Sequence, residues 1–163
     1  MARVIHEEHV FSRGIALALG TLAAVMLGLT VQQWLASPPA GQPEWVFPGL
    51  FLLFVLLAVN FARLDIIITD ELATVGFGIV RSRTRWQDIR DCYRDEASVL
   101  VYGGWGIRIG RYRGLWRLAF TTIGAPRIVL LRRDRVFPEL VFSTGDPEAA
   151  AARIRAVLGR CDV

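Results

Sequence analysis

Between Arg13 and Arg63 the chain carries one formal charge, Glu44, set in a Pro/Gly-rich break between two long apolar runs. Two helices built from such runs would be apolar on every side, so their surroundings must be lipid or a very large protein core. The first run, residues 14–34, has 21 residues. At about 1.5 Å per residue it reaches about 32 Å, enough for a hydrocarbon core of about 30 Å. The second, residues 45–62, has 18 residues and stands close to the lower limit for a span. Pro48 falls in its first turn, where a missing N–H is harmless, and Trp34 and Trp45 flank the connecting loop at interface depth.

A soluble core hairpin does not fit, because about a hundred remaining residues could not cover both helices. A cleaved leader does not fit either, since the run after Arg13 is longer than a leader's apolar segment. The expected organisation is therefore an N-terminal segment at 1–13, a transmembrane hairpin at 14–62 with helices at 14–35 and 45–62, and a domain at 63–163.

Arginine sets the expected orientation. All 19 basic residues are Arg, and Lys is absent, which fits the codon bias of a GC-rich bacterium. Arg3 and Arg13 precede the first helix, Arg63 closes the second, and the loop between has none, so both termini are expected in the cytoplasm and the protein in a bacterial inner membrane. Cys92 and Cys161 then lie in a reducing compartment as two thiols. Residues 63–163 hold 17 Arg against 12 Asp and Glu, a net charge of +5. That balance suits a domain held beside an anionic leaflet.

The domain reads as strands followed by one helix. β-Branched and apolar runs at 64–69, 73–80, 84–86, 89–94, 116–123, 127–132 and 136–142 predict seven strands, with turns at Asp70-Glu71, Gln87-Asp88, Gly124-Ala125-Pro126 and Arg133-Asp134-Arg135. Asp146 can cap a following helix, with Pro147 first and Glu148 in the first turn. Ala150, Ile154, Val157 and Leu158 form its apolar face, so it should pack on the sheet. For 1–12 the sequence leaves a surface helix, an added strand and disorder open.

Two apolar helices, the start Ile68-Thr69-Asp70-Glu71-Leu72, the segment Arg85-Trp86-Gln87-Asp88-Ile89, the stretch Tyr102-Gly103-Gly104-Trp105-Gly106-Ile107-Arg108 and the ending Thr144-Gly145-Asp146-Pro147-Glu148 resemble bacterial two-transmembrane-helix proteins with a C-terminal pleckstrin-homology-like domain. The resemblance implies an α+β membrane protein with a seven-stranded, partly open β-barrel capped by a helix. It implies no catalytic residues, and no cofactor is expected. Against that pattern, Arg111-Tyr112-Arg113-Gly114-Leu115-Trp116 is unusually basic and aromatic.

A search for chemistry among the residues points the same way. His6 and His9 are three apart, with no further His to complete a zinc set. Without Lys there is no phosphate-binding P-loop, and Gly104-Trp105-Gly106 does not sit at a strand-to-helix turn. Cys92 reads as a small buried hydrophobe, and Asp95-Glu96 as a solvated loop start. No enzyme, no metal, no nucleic acid and no small-molecule substrate is expected.

The concentrated feature is the set Trp105, Arg108, Arg111, Tyr112, Arg113 and Trp116. It can be a tight turn with Trp105 filling the barrel end and a solvated arginine face. It can be a membrane-surface contact, with aromatics at headgroup depth and Arg on lipid phosphate. It can also be a contact with other integral membrane subunits, since Trp, Tyr and Arg dominate binding hot spots. In the first helix Gly20, Ala24 and Gly28 repeat at four-residue spacing, which lets either the second helix or a separate subunit approach closely. The expected function is a non-enzymatic accessory or assembly subunit of a larger inner-membrane complex. The alternative is an anionic-lipid headgroup-binding protein that uses Arg108, Arg111 and Arg113.

Overall fold

The computed structural model describes residues 3–36, 43–133 and 136–161. A first strand, β1 (Val4–Phe11), leads through Ser12 into helix α1 (Arg13–Leu35), and α2 (Val46–Phe61) returns through Ala62 into β2 (Arg63–Thr69). Strands β3 (Leu72–Phe77), β4 (Val80–Arg85), β5 (Ile89–Arg94), β6 (Gly106–Tyr112), β7 (Leu115–Thr121), β8 (Arg127–Arg132) and β9 (Glu139–Ser143) follow. Helix α3 (Pro147–Cys161) ends the described chain. The strands form a four-stranded sheet in the order β1-β2-β3-β4 and a five-stranded sheet in the order β5-β8-β9-β7-β6.

Alternation builds the core. Leu64, Ile66 and Ile68 of β2 and Ala73, Val75 and Phe77 of β3 point into one cluster with Ile128 and Leu130 of β8 and Leu140 and Phe142 of β9. Phe77 and Phe120 meet across the two sheets with centroids 6.4 Å apart. Helix α3 closes this cluster with Ala150, Ile154 and Val157 fully or nearly buried and Leu158 beside them, the face expected from the sequence. Asp146 caps it, accepting a hydrogen bond from the Ala149 N–H at 2.9 Å. On the exposed edge strand β4, Arg81, Arg83 and Arg85 point outward, a charged edge that resists strand addition.

Nine strands stand where seven were expected, and the two additions have separate causes. The N-terminal segment, left open by the sequence, pairs antiparallel with β2 as β1. The glycine- and arginine-rich stretch, expected as loop, forms β6 against β7. The apolar run 73–80 is also divided, because the chain reverses at Gly78-Ile79 to pair β3 with β4. Trp86 leaves the strand for a 3₁₀ turn and buries its ring, with Nε1–H donating to the Thr69 carbonyl at 2.9 Å. The expected 133–135 turn falls largely on residues outside those described.

Helix α1 is long and apolar enough, by length and composition, to cross a membrane. Helix α2 has 16 residues, Val46–Phe61, with Trp45 and Ala62 on either side also in helical backbone conformation, within the apolar run 45–62. Only Ala23 and Thr30 of α1 are buried, and nothing in α2 is. Gly20, Ala24 and Gly28 lie on the exposed side of α1, and a Cβ at Gly20 or Gly28 would meet nothing within 4 Å. The alternative in which α2 fills that small-residue groove is thus corrected: α2 packs on the other face, where Ala23 and Thr30 lie.

The helices are tied to the sheets at several points. Phe61 packs on Phe77 with centroids 5.5 Å apart, and the Ile79 N–H donates to Asn60 Oδ1 at 3.0 Å. Gly78 makes this approach possible. Its φ is +47°, and a Cβ there would fall 2.1 Å from Asn60 Oδ1 and 2.9 Å from the Asn60 carbonyl oxygen. Gly78→Ala should cost about 1–3 kcal/mol of stability, measured by thermal melting. Gly159→Ala, on an exposed helical site with open space around it, should instead gain about 0.5–1 kcal/mol. Equal effects from the two substitutions would contradict this account of the junction.

Candidate functional site

The hairpin β6–β7 carries most of the singled-out residues, and its register decides which of them can meet. Arg111 pairs with Trp116 and Tyr112 with Leu115, so Arg113 and Gly114 alone make the turn. Such two-residue turns favour positive φ at both positions. Gly114 has φ +86° and Arg113 has φ +49°, the latter being the sole non-glycine residue with positive φ among those described. Asn or Gly would hold that geometry with less strain, and Arg costs on the order of 1 kcal/mol there.

Around the turn the aromatic and basic side chains pack on one another. The Arg111 guanidinium stands 6.0 Å from the Trp116 ring centroid and that of Arg113 stands 5.2 Å from Tyr112. Trp116 remains 49% exposed. A hollow of about 460 Å³ lies beside the tip, between Tyr112 and Arg113 on one side and Arg94 and Glu96 on the other. The tip is therefore an exposed, mixed-charge surface with aromatic anchors.

Trp105 and Arg108 belong to a different place. Gly103, Gly104 and Gly106, with φ of +71°, +116° and +91°, bend the chain so that β6 starts against α1, where a Cβ on Gly106 would lie 3.8 Å from Ile15 Cδ1. Trp105 is 43% exposed and does not fill the end of the core. Arg108 Nε–H donates to the Trp105 carbonyl at 3.1 Å. Five residues of strand, about 16 Å, separate Arg108 from Arg113. The structure thus brings Arg111, Tyr112, Arg113 and Trp116 together, and keeps Trp105 and Arg108 apart from them.

Beneath the hairpin lies a group that the sequence reading missed. Asp95, expected in a solvated loop start, is buried, and so is Arg117 on β7, their side chains paired at 3.0 Å. Asp95 also receives Arg127 at 2.7 Å and the Tyr102 hydroxyl at 3.0 Å, while Arg117 donates to Glu139 and to Tyr102 Oη. The Tyr93 hydroxyl donates to Glu139 as well, and the Tyr112 ring lies 4.4 Å from the Arg117 guanidinium. Two acids and two arginines balance, and each finds partners, which is the condition for tolerating charge in a low dielectric. This cluster fastens the 95–105 segment onto the outer face of the five-stranded sheet and so positions both ends of β6. Nothing in one sequence separates Arg117 from its sixteen neighbours of the same type in 63–163.

Burial, reinforced by the hydrogen bond to Glu139, pushes Tyr93 up to about 12. Burial likewise pushes Tyr102 up to about 12, with the Arg117 hydrogen bond opposing and the Asp95 charge adding. Burial alone would lower Arg117, but its hydrogen bonds to Glu139 and Tyr102 outweigh it and hold the guanidinium protonated. These tyrosines work as neutral donors, not as proton carriers near pH 7. Cys92 is free and buried, and burial raises its thiol, which leaves it unreactive. His6 and His9 sit on opposite faces of β1, His6 with Glu8 and His9 with Asp65, so they do not face one ion. Among the described residues no group of three or more His, Cys, Asp or Glu side chains is placed to hold a metal.

Asp95→Ala should cost about 3–5 kcal/mol, because it takes the carboxylate from partly buried Arg127 and leaves buried Arg117 with Glu139 alone. A loss below about 1 kcal/mol in denaturant unfolding would contradict that role. The raised tyrosines make a second prediction. Their folded values lie above the ordinary 10.0, so the stability they lend is whole below that pH and disappears as pH climbs toward about 12. Melting temperature should fall across this interval, less steeply in Tyr93→Phe and Tyr102→Phe, with tyrosinate absorbance of the parent rising late in step.

No protein-family model matches this chain, no curated protein matches it, and no solved structure matches it.

Proposed function

We propose that the chain is a non-enzymatic accessory or assembly subunit of a larger bacterial inner-membrane complex. In this reading α1 and α2 form a transmembrane hairpin, both termini are cytoplasmic, and the two sheets with α3 make a pleckstrin-homology-like binding domain beside the membrane. Support for the hairpin comes from two apolar helices with almost no protein covering them, and from arginines gathered at their domain end. Support for the domain comes from two sheets sharing one core with a C-terminal helix laid against it.

The observation that carries the binding role is Arg113. A chain that needed only a turn would hold Asn or Gly there, whereas this one keeps a strained Arg over Tyr112, beside an exposed Trp116 already stacked by Arg111. Arg, Tyr and Trp in one protruding cluster have the composition of an interface hot spot. The partner is another membrane protein with an acidic and apolar cytoplasmic face. The lipid alternative that joined Arg108, Arg111 and Arg113 in one site has less support, since Arg108 lies against α1 and the other two at the opposite end of β6.

Purification of the tagged full-length chain from its native membrane in mild detergent should recover a stoichiometric membrane partner. Trp116→Ala should lose it, by about 2 kcal/mol or more of binding. Arg113→Asn should lose it too while melting at or above the parent temperature, because the turn strain is relieved. A parent protein that runs alone, or an Arg113→Asn variant that keeps its partner at parent affinity, speaks against this function.

A further inference from the structure

At the junction of the helices and the domain a groove of about 620 Å³ runs between the start of α1, the end of α2 and the 103–108 segment. That volume falls inside the range of about 300–1,000 Å³ common to small-ligand sites. Ile15, Ala18 and Leu19 form one wall, Leu57 and Phe61 a second, and Arg108 is the only charged residue in the lining. We propose that this groove holds one acyl chain of an anionic glycerophospholipid drawn from the surrounding leaflet, with the lipid phosphate on Arg108. The inference rests on the membrane reading of α1 and α2.

Continuity is the first argument. The groove walls are the same helices whose outer residues Leu17, Leu22, Leu53 and Leu56 stand exposed, so whatever bathes those residues also reaches the groove. In the proposed setting that medium is lipid.

Chemistry is the second. A polypeptide segment entering an apolar groove brings backbone N–H and C=O groups that the walls cannot satisfy, whereas an acyl chain brings none. The single cation selects an anion. Arg108 spends Nε–H on the Trp105 carbonyl, and its Nη2 lies 4.0 Å from where a Cβ on Gly104 would stand, so the guanidinium is held over a glycine surface. Its terminal amino groups have no protein partner among the described residues. A guanidinium fixed through Nε can still offer two parallel N–H donors to phosphate.

Geometry is the third. Gly103, Gly104 and Gly106 leave the rim without side chains, and Trp105, partly exposed beside them, is the kind of ring that settles at headgroup depth. Arg13, exposed, directly precedes the wall residue Gly14. Acyl chain inside and phosphate outside is the one orientation that satisfies both walls and rim.

The test uses the full-length chain in nanodiscs of equal phosphatidylglycerol and phosphatidylethanolamine, released into mild detergent and weighed by native mass spectrometry. The parent should retain one phospholipid, with phosphatidylglycerol favoured about fivefold. Ala18→Trp fills the groove and should retain none, and Leu57→Trp, from the opposite wall, should do the same. Arg108→Gln should keep a lipid but lose the preference, while Arg90→Gln, exposed on β5 at the sheet edge opposite β6, should behave as the parent. Lipid retained equally by both groove-filled variants, or a preference untouched in Arg108→Gln, overturns the proposal. A parent chain that needs detergent yet carries no lipid overturns the groove alone. One that is freely soluble overturns the membrane reading beneath it.

Discussion

A hydrogen bond between the two single-residue linkers carries the strand register into the helix pair. Ser12 is the only residue between β1 and α1, and Ala62 the only one between α2 and β2, and the Ser12 N–H donates to the Ala62 carbonyl at 2.8 Å. Because Phe11 pairs with Arg63 just beyond, the strand ladder passes almost without interruption into the helix pair. Linkers this short leave no room for a swinging domain. Asn60 and Phe61 brace the same joint against the β3–β4 turn, so the helix pair and the β2–β4 strands meet in a fixed relation.

That joint accounts for the division of labour in β6. Its first residues lie against α1, and its far end is about 20 Å away at the usual rise of a strand. Trp105 and Arg108 therefore belong to the helix–domain junction, and Arg113 and Trp116 to a protruding tip. The buried cluster around Asp95 and Arg117 stands between them and holds the strand on the sheet. Replacing such a cluster by apolar groups can be neutral for stability. Its contribution here is to place one segment, at several ligating points, where a purely apolar patch would allow sliding.

Much of this architecture was legible in the residues. The apolar runs around Glu44 gave both helices, the Asp146-Pro147-Glu148 signature gave the start of α3 and helical spacing its buried face, and β-branched and apolar runs gave seven of the nine strands. The failures have physical causes. β6 is written with Gly106, Gly110 and two arginines because it packs under the 95–105 segment on one face and is exposed on the other, so neither alternation nor β-branching marks it. A continuous apolar run hid the β3–β4 reversal, since Gly78 supplies the turn without any polar residue. Asp95 was unreadable because its counter-charges come from β7 and β8, far away in sequence, and burial of an acid follows from partners that only the fold assembles.

Membrane residence with the domain on the arginine side is the claim on which the partner and the lipid both depend. Protease protection of a C-terminal tag, compared between intact spheroplasts and inverted inner-membrane vesicles, tests it most directly. The account requires the tag to survive in spheroplasts and to be digested in inverted vesicles. Digestion in spheroplasts with survival in inverted vesicles, or a tag found in the soluble fraction, contradicts it.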